Sequence, residues 1–319
     1  MTTARVCPAL ELLTSLSSPR VTVIRPGGLG DTLLVLPTLQ WLQERLSHAA
    51  LTLVGSSWAE KLLPLVLAPP QFVPFDSREL APLFVPRATE PLPPALGQAD
   101  GVVLYTADPK GPLAENLRRG CRGPAIIWPA APAPGLHAAV HFAAAVAEGR
   151  ATPSAVRLSV PEEARQWARE WLRSRIGGDG SFVIVHAGSG GRAKCWPAAA
   201  FATVLVRLDK PAVLLEGPAD AEPSRRLRSL MASDQPLAVA ADLAIGEFAA
   251  LLERCSLFVG NDSGVSHLAA ALGVPTIAVF GATDPSVWAP LGHRVVTVGG
   301  MGNWPVPDEV IEAAESLLR

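Results

Sequence analysis

The sequence predicts an α/β protein of two halves, each a doubly wound parallel sheet covered by helices on both faces. Three observations predict it. Short β-branched runs alternate with stretches of helical apolar spacing, a pattern that calls for parallel strands joined by crossover helices. The alternation starts near residue 21, runs into a proline-rich middle, and restarts near residue 161. The 319 residues suit about two domains, and 49% hydrophobic against 18% charged residues leave apolar surface for two cores.

In the first half, residues 21–25 are a β-branched run, the signal of a buried strand. Residues 26–31, Pro-Gly-Gly-Leu-Gly-Asp, form a turn, and 32–46 carry apolar residues at helical spacing with Pro37 as a kink. Residues 51–54 and 100–104 read as strands and 58–67 as a helix. Eight prolines fall within 69–94, and Pro124, Pro129, Pro132 and Pro134 crowd 124–134, so both stretches read as extended loops. Alanine-rich 137–148 reads as a helix, and 149–153 approaches a domain boundary, set between residues 152 and 153. In the second half, 161–175 is an amphipathic helix whose leading Glu162 and Glu163 suit a helix N-terminus. Residues 182–186, 212–216, 257–259 and 276–280 read as strands. Residues 197–208, with Pro197 in the first turn, 265–272 and 309–318 read as helices. No repeat is visible.

Composition excludes several functions. Lys+Arg total 27 and Asp+Glu 29, a net charge of -2, so a nucleic-acid-coating protein is not expected. Mean hydropathy is +0.28. Even so, the longest apolar runs are broken by Pro64, Pro69, Pro70 and Pro74, or by Gly273 and Pro275, and none reaches the roughly 18–20 residues of a spanning helix. Glu11 interrupts the short apolar stretch after Arg5, so no export signal is read and a cytoplasmic location is expected. Cys7, Cys121, Cys195 and Cys255 are isolated and form no zinc-type or redox pair. The histidines are dispersed, no Asp-x-Asp pair occurs, and no metal is expected.

Three polar turns can carry chemistry. The first, around Gly28, Gly30 and Asp31, lies between a strand and a helix, where α/β folds place ligands. Spacing does not separate a catalytic Asp31 from one that satisfies free N–H groups at the helix start. A dinucleotide fingerprint fits only Gly28-x-Gly30, with Leu33 in the third glycine's place, which disfavours an NAD-dependent oxidoreductase. The second turn, His-Ala-Gly-Ser-Gly-Gly-Arg-Ala-Lys-Cys-Trp at 186–196, can form an anion nest. There Ser189 offers a donor, and Arg192 and Lys194 add positive charge. Lys194 stands out because Lys61, Lys110 and Lys210 are the only other lysines. The third, Asn261-Asp262-Ser263-Gly264, opens a helix bearing His267, and a helix N-terminus attracts anions. Asp262 as a plain cap and His267 as a buried core histidine are the bland alternatives. A further strand-to-turn junction follows at 280–285. The three turns of the second half, at 186–196, 261–264 and 280–285, point to a nucleotide diphosphate at the carboxyl ends of the strands.

Together the motifs resemble glycosyltransferase family 9, the lipopolysaccharide heptosyltransferase family. They are Arg25 with Gly30-Asp31 and Pro37; Gly188-Ser189 with Lys194-Cys195-Trp196-Pro197; Asp262-Ser263-Gly264 with His267 and Ala270; and the run from Phe280 to Pro285. Cys195 stands where the family has Arg or His. The resemblance implies GT-B architecture, two Rossmann-like domains facing across a cleft, with residues 1–152 binding the acceptor and 153–319 the sugar nucleotide. It also implies that the last helix packs against or near the N-terminal domain, and that transfer is inverting and metal-independent. By position, Asp31 would be the general base. Lys194 would meet the diphosphate or sugar and Ser189 a phosphate. Asp262 would hold sugar hydroxyls, and Ser263, Gly264 and His267 the diphosphate. Glu222, or else Asp220, would reach the ribose, and backbone near Leu243 the adenine. The acceptor side carries Gly28, Gly30 and the basic cluster Arg118, Arg119 and Arg122. The partners implied are an ADP-sugar, most simply ADP-heptose, and a saccharide or glycolipid acceptor, with peripheral contact at the inner membrane surface allowed for. A non-catalytic nucleotide-sugar-binding protein of the same architecture is the alternative.

Overall fold

The computed structural model describes residues 5–149, 151–178, 180–217, 220–231 and 237–319. They form two compact units, Met1–Val156 and Arg157–Arg319. Each is α/β with a parallel sheet, as the alternation of strand and helix signals predicts.

The first unit contains β1 (Arg5–Val6), β2 (Arg20–Ile24), α1 (Leu29–Arg45), β3 (Ala50–Gly55), α2 (Ser57–Leu62) and β4 (Gln71–Pro74). It continues with α3 (Pro94–Gly97), β5 (Gly101–Thr106), α4 (Pro112–Gly120), β6 (Ala125–Pro129), α5 (Ala138–Ala143) and β7 (Ala147–Glu148). Its five-stranded sheet runs β4-β3-β2-β5-β6, all parallel. β2 is central, and Val21, Thr22, Val23 and Ile24 are buried because helices cover both faces. The order reverses direction beside β2, so the 26–31 turn that follows it sits at a switch point.

Both proline-rich stretches hold strands that composition hides. β4 and β6 are the two edges of the sheet and each ends on a proline. An edge strand has one unpaired side, so a missing N–H costs it no ladder bond. The alanine-rich helix is shorter than its propensity predicts. β7 instead pairs antiparallel with β1, and the Cys7 N–H reaches Val146 O at 2.7 Å, so a tertiary contact outweighs alanine's preference. Pro37 is accommodated inside α1, which starts at Leu29, ahead of the residue expected.

The second unit contains α6 (Glu162–Ile176), β8 (Val183–His186), α7 (Ala198–Leu208), β9 (Ala212–Glu216), α8 (Ala221–Leu230), β10 (Leu237–Ala241) and α9 (Ile245–Arg254). β11 (Leu257–Asn261), α10 (Gly264–Ala271), β12 (Thr276–Phe280), α11 (Pro285–Trp288), β13 (Val295–Gly299) and α12 (Pro307–Leu318) complete it. The sheet order is β10-β9-β8-β11-β12-β13, all parallel. Val183, Val185, Leu214, Val259, Ile277 and Val279 form the core with Phe201 and Trp196. α12 seals it through Val310, Ile311 and Ala314, packing on α7 and on the sheet of its own unit. α6 ends on Gly177 at φ +84°, a left-handed position that suits glycine. The order again reverses between β8 and β11, which places the loops after these two strands side by side. No helix of the described residues is long and apolar enough to cross a membrane.

Candidate functional site

In the second unit, Asn261 ties the glycine loop to the end of β11. It is fully buried; its Nδ2 donates to Ala187 O at 2.9 Å and Gly188 O at 3.0 Å, while Oδ1 accepts from the Trp196 N–H at 2.8 Å. Trp196 anchors the far end, its indole N–H on Pro305 O at 3.0 Å and its ring edge-to-face with Phe201. Asn261→Ala leaves three buried backbone groups without this partner. It is expected to cost about 3 kcal/mol, roughly 6–12 °C in the melting of a unit this size. Differential scanning calorimetry checks it, and an unshifted melting temperature would mean the loop is held by other contacts.

The clamped loop delivers Lys194 to Asp262. The Lys194 ammonium donates to Asp262 Oδ2 at 2.7 Å, and Thr283, from the turn after β12, donates its hydroxyl to the same oxygen at 2.6 Å. Asp262 is nearly buried while Lys194 is 38% exposed, so the cation stays accessible to a ligand. Ser189 Oγ donates to Asp262 O at 2.8 Å. Ser263 is the N-cap of α10, but its hydroxyl makes no cap bond. It lies 3.4 Å from His186 Nδ1 and 3.5 Å from Ser266 Oγ. The opening N–H groups of α10 then lie beside the loop, which Ser189 ties to Asp262 O. His267 is buried in the first turn. Ser189, Lys194, Asp262, Ser263, Gly264 and His267 are thus brought together at the carboxyl ends of β8 and β11.

Sequence reasoning missed several neighbours. Thr283 and Asn261 stood within the quoted motifs without a role. The buried His186–Asp220 pair, Nε2 to Oδ2 at 2.9 Å, carried no signal because its members are 34 residues apart. Burial pushes the Asp220 carboxyl up, yet the hydrogen bond from His186, the charge of that ring when it is protonated, and the Gly217 N–H outweigh it and hold it below the usual carboxylate range. Asp220 therefore faces inward. Glu222 lies in the first turn of α8, half-buried and ion-paired with Arg225 and Arg226. Leu243 is half-buried just past β10.

In the first unit, Asp31 holds two partners. Its Oδ1 takes the Arg25 guanidinium at 2.5 Å and its Oδ2 accepts the Gly28 N–H at 3.0 Å, closing the start of α1. Arg25 also donates to Pro26 O and stacks over the Phe142 ring at 5.0 Å. Gly27 permits the approach, since a Cβ there would come within 2.6 Å of Asp31 Cβ. Gly28 and Gly30 belong to this cluster. The Arg118 guanidinium folds back along α4 to Pro109 O in the loop after β5. Arg119 and Arg122 lie at the other end of α4, where cations offset a helix C-terminus. They are not gathered with Asp31.

Among the described residues, no group of three or more His, Cys, Asp or Glu side chains is placed to hold a metal ion.

Residues 134–318 match the model of glycosyltransferase family 9 (heptosyltransferase). The chain is 29% identical over 142 residues to lipopolysaccharide heptosyltransferase 3 of Escherichia coli, covering 43% of this chain and 41% of that protein. It is 31% identical over 110 residues to lipopolysaccharide heptosyltransferase 2 of Salmonella typhimurium, 33% of this chain and 32% of the relative. These alignments span less than half of either relative. Among solved structures, the glycosyl transferase family 9 protein from Veillonella parvula superposes with a TM-score of 0.75 at 22% identity, over 94% of this chain and 97% of that one. The E. coli ADP-heptose lps heptosyltransferase II gives 0.73 at 18%, over 94% and 98%. At such identities the likeness establishes the fold, that of the GT-B heptosyltransferases with two Rossmann-like domains.

Proposed function

Because the chain belongs to glycosyltransferase family 9, we propose that it is an inverting glycosyltransferase that moves a heptose from ADP-heptose to a hydroxyl of a saccharide or glycolipid acceptor in lipopolysaccharide biosynthesis. The observation that carries this reading is the Lys194–Asp262–Thr283 cluster beside the N-terminus of α10. A leaving nucleoside diphosphate gains charge as the sugar departs, and a fixed cation and oriented N–H groups stabilise that charge. Lys194 and the first turn of α10 serve this purpose in the proposal, with no resident metal or organic cofactor. Ser189, Ser263, Gly264 and His267 contact the phosphates, and Asp262 accepts from sugar hydroxyls. Glu222 and Leu243 follow the neighbouring strands β9 and β10, and the proposal gives them the ribose and the adenine. Asp31, on the first unit, takes the acceptor proton. A glycolipid acceptor would bring the protein to the inner membrane surface as a peripheral partner from the cytoplasmic side.

Thermal shift with ADP, GDP and UDP and their sugars tests the donor. ADP at 100 times its dissociation constant should add about 2.7 kcal/mol of stability, unchanged by a chelator. Stabilisation by UDP or GDP alone would reject the adenine assignment, and a requirement for magnesium would reject the metal-independent site.

A second reading has one observation on its side. Both Asp31 carboxylate oxygens are engaged, by Arg25 and by the Gly28 N–H, as they would be in a helix cap with no catalytic duty. A non-catalytic nucleotide-sugar-binding protein of this fold would bind ADP and transfer nothing.

A further inference from the structure

A buried histidine stands behind Ser263, with a carboxylate on one ring nitrogen and the serine hydroxyl on the other. His186 is 3% exposed at the end of β8. Its Nε2 lies 2.9 Å from Asp220 Oδ2, which also accepts the Gly217 N–H at 2.9 Å. Its Nδ1 lies 3.4 Å from Ser263 Oγ. Gly188 leaves the room this needs, because a Cβ there would collide with the Asp220 carboxylate.

We propose that His186 and Asp220 are positioning residues for Ser263, and that His186 takes up a proton when a nucleoside diphosphate binds at the start of α10. The inference rests on the donor reading above. An ionised carboxylate only accepts hydrogen bonds, so the Asp220 contact requires a proton on Nε2. In a neutral ring Nδ1 is then an acceptor, and the Ser263 hydroxyl turns its proton inward. Its lone pairs would face the incoming anion. For Ser263 to donate to a phosphate oxygen, it must turn its proton outward. Contact with the ring survives that turn only if Nδ1 becomes a donor. The proton balance is simple: Nδ1 gains one proton from solvent, Ser263 keeps its own, and no covalent bond changes. The Asp220 carboxylate, which accepts from Nε2 and from the Gly217 N–H, and the diphosphate are both negative groups that favour a charged ring. The other titratable groups on the elements around the ring include Cys195 and Arg192 in the glycine loop; Asp262 and Lys194, paired with each other; Glu216, paired with Arg228; Glu222, paired with Arg225 and Arg226 on α8; and His267 on α10.

Calorimetric titration of the full chain with ADP, at one pH in two buffers of different ionisation enthalpy, counts the protons taken up. The wild type is expected to take up more than His186→Gln and Asp220→Asn, by a difference on the order of one proton per ADP. ADP's own phosphate titrates in all three proteins and cancels in the comparison. Asp220→Asn keeps an oxygen for the Gly217 N–H and guards against a His186 variant that fails to fold. Its ADP affinity should drop about tenfold. A residue that merely filled space, or that only touched the ribose, would change affinity and leave the proton count alone. Equal proton counts in the three proteins overturn the inference and leave the donor site standing. Failure of the wild type to bind ADP overturns the donor reading and the inference with it.

Discussion

Asp31→Asn is expected to lower sugar transfer by about 10²–10⁴-fold, the usual contribution of a general base, while ADP affinity changes by less than about twofold. A sugar hydroxyl is a poor nucleophile at neutral pH, and in the proposed role the carboxylate would remove its proton as the new bond forms. Asparagine is nearly isosteric and can still accept the Gly28 N–H, so α1 keeps its start. It cannot take a proton. The residues proposed to hold the donor all lie on the second unit, which is why affinity is spared. The Arg25 ion pair sharpens the test. For Asp31 to work as a base, one oxygen must turn to the acceptor hydroxyl while the other keeps a partner. If Asp31 is only a cap, Asn serves and transfer continues at close to the wild-type rate. Parallel melting curves are needed, because Arg25 is 12% exposed and loses its carboxylate in the variant.

Lys194→Ala should weaken ADP by about 10–100-fold, the range for loss of charge-assisted hydrogen bonds at a partly enclosed site. In the wild type the ammonium is held on Asp262 and remains exposed on its other side. In the proposed donor site, its loss would remove a cation facing the phosphates and free the Asp262 carboxylate to repel them. Thr283 still donates to Asp262, so the fold should survive with little loss of stability. Isothermal titration in the presence of a chelator measures the change. Unaltered affinity would move the diphosphate away from this cluster.

The residues proposed to bind the donor are clearer in the sequence than the residues that hold them. Lys194, Asp262, Ser263 and His267 lie in short motifs, because chemistry at the end of a parallel strand is concentrated in the turn that follows. Thr283 sits in such a turn too, and only its partner was missing. Asn261, His186 and Asp220 act through contacts between distant segments, which leave no local pattern. The strands β4 and β6 were hidden for a different reason. Proline is read as a loop signal, yet at a sheet edge it costs no ladder bond. The short α5 shows the reverse error, where β1 captures the end of an alanine-rich run that favours helix on its own.

The decisive measurement is transfer itself. The protein is incubated with ADP-heptose and a heptose-free lipopolysaccharide core glycolipid, with a chelator present, and the products are read by mass spectrometry. The expected result is an acceptor heavier by one heptose residue, one ADP released for each transfer, and inverted configuration at the new anomeric carbon. ADP-heptose that binds tightly and is never consumed with any saccharide acceptor would contradict the transferase and leave a nucleotide-sugar-binding protein in its place.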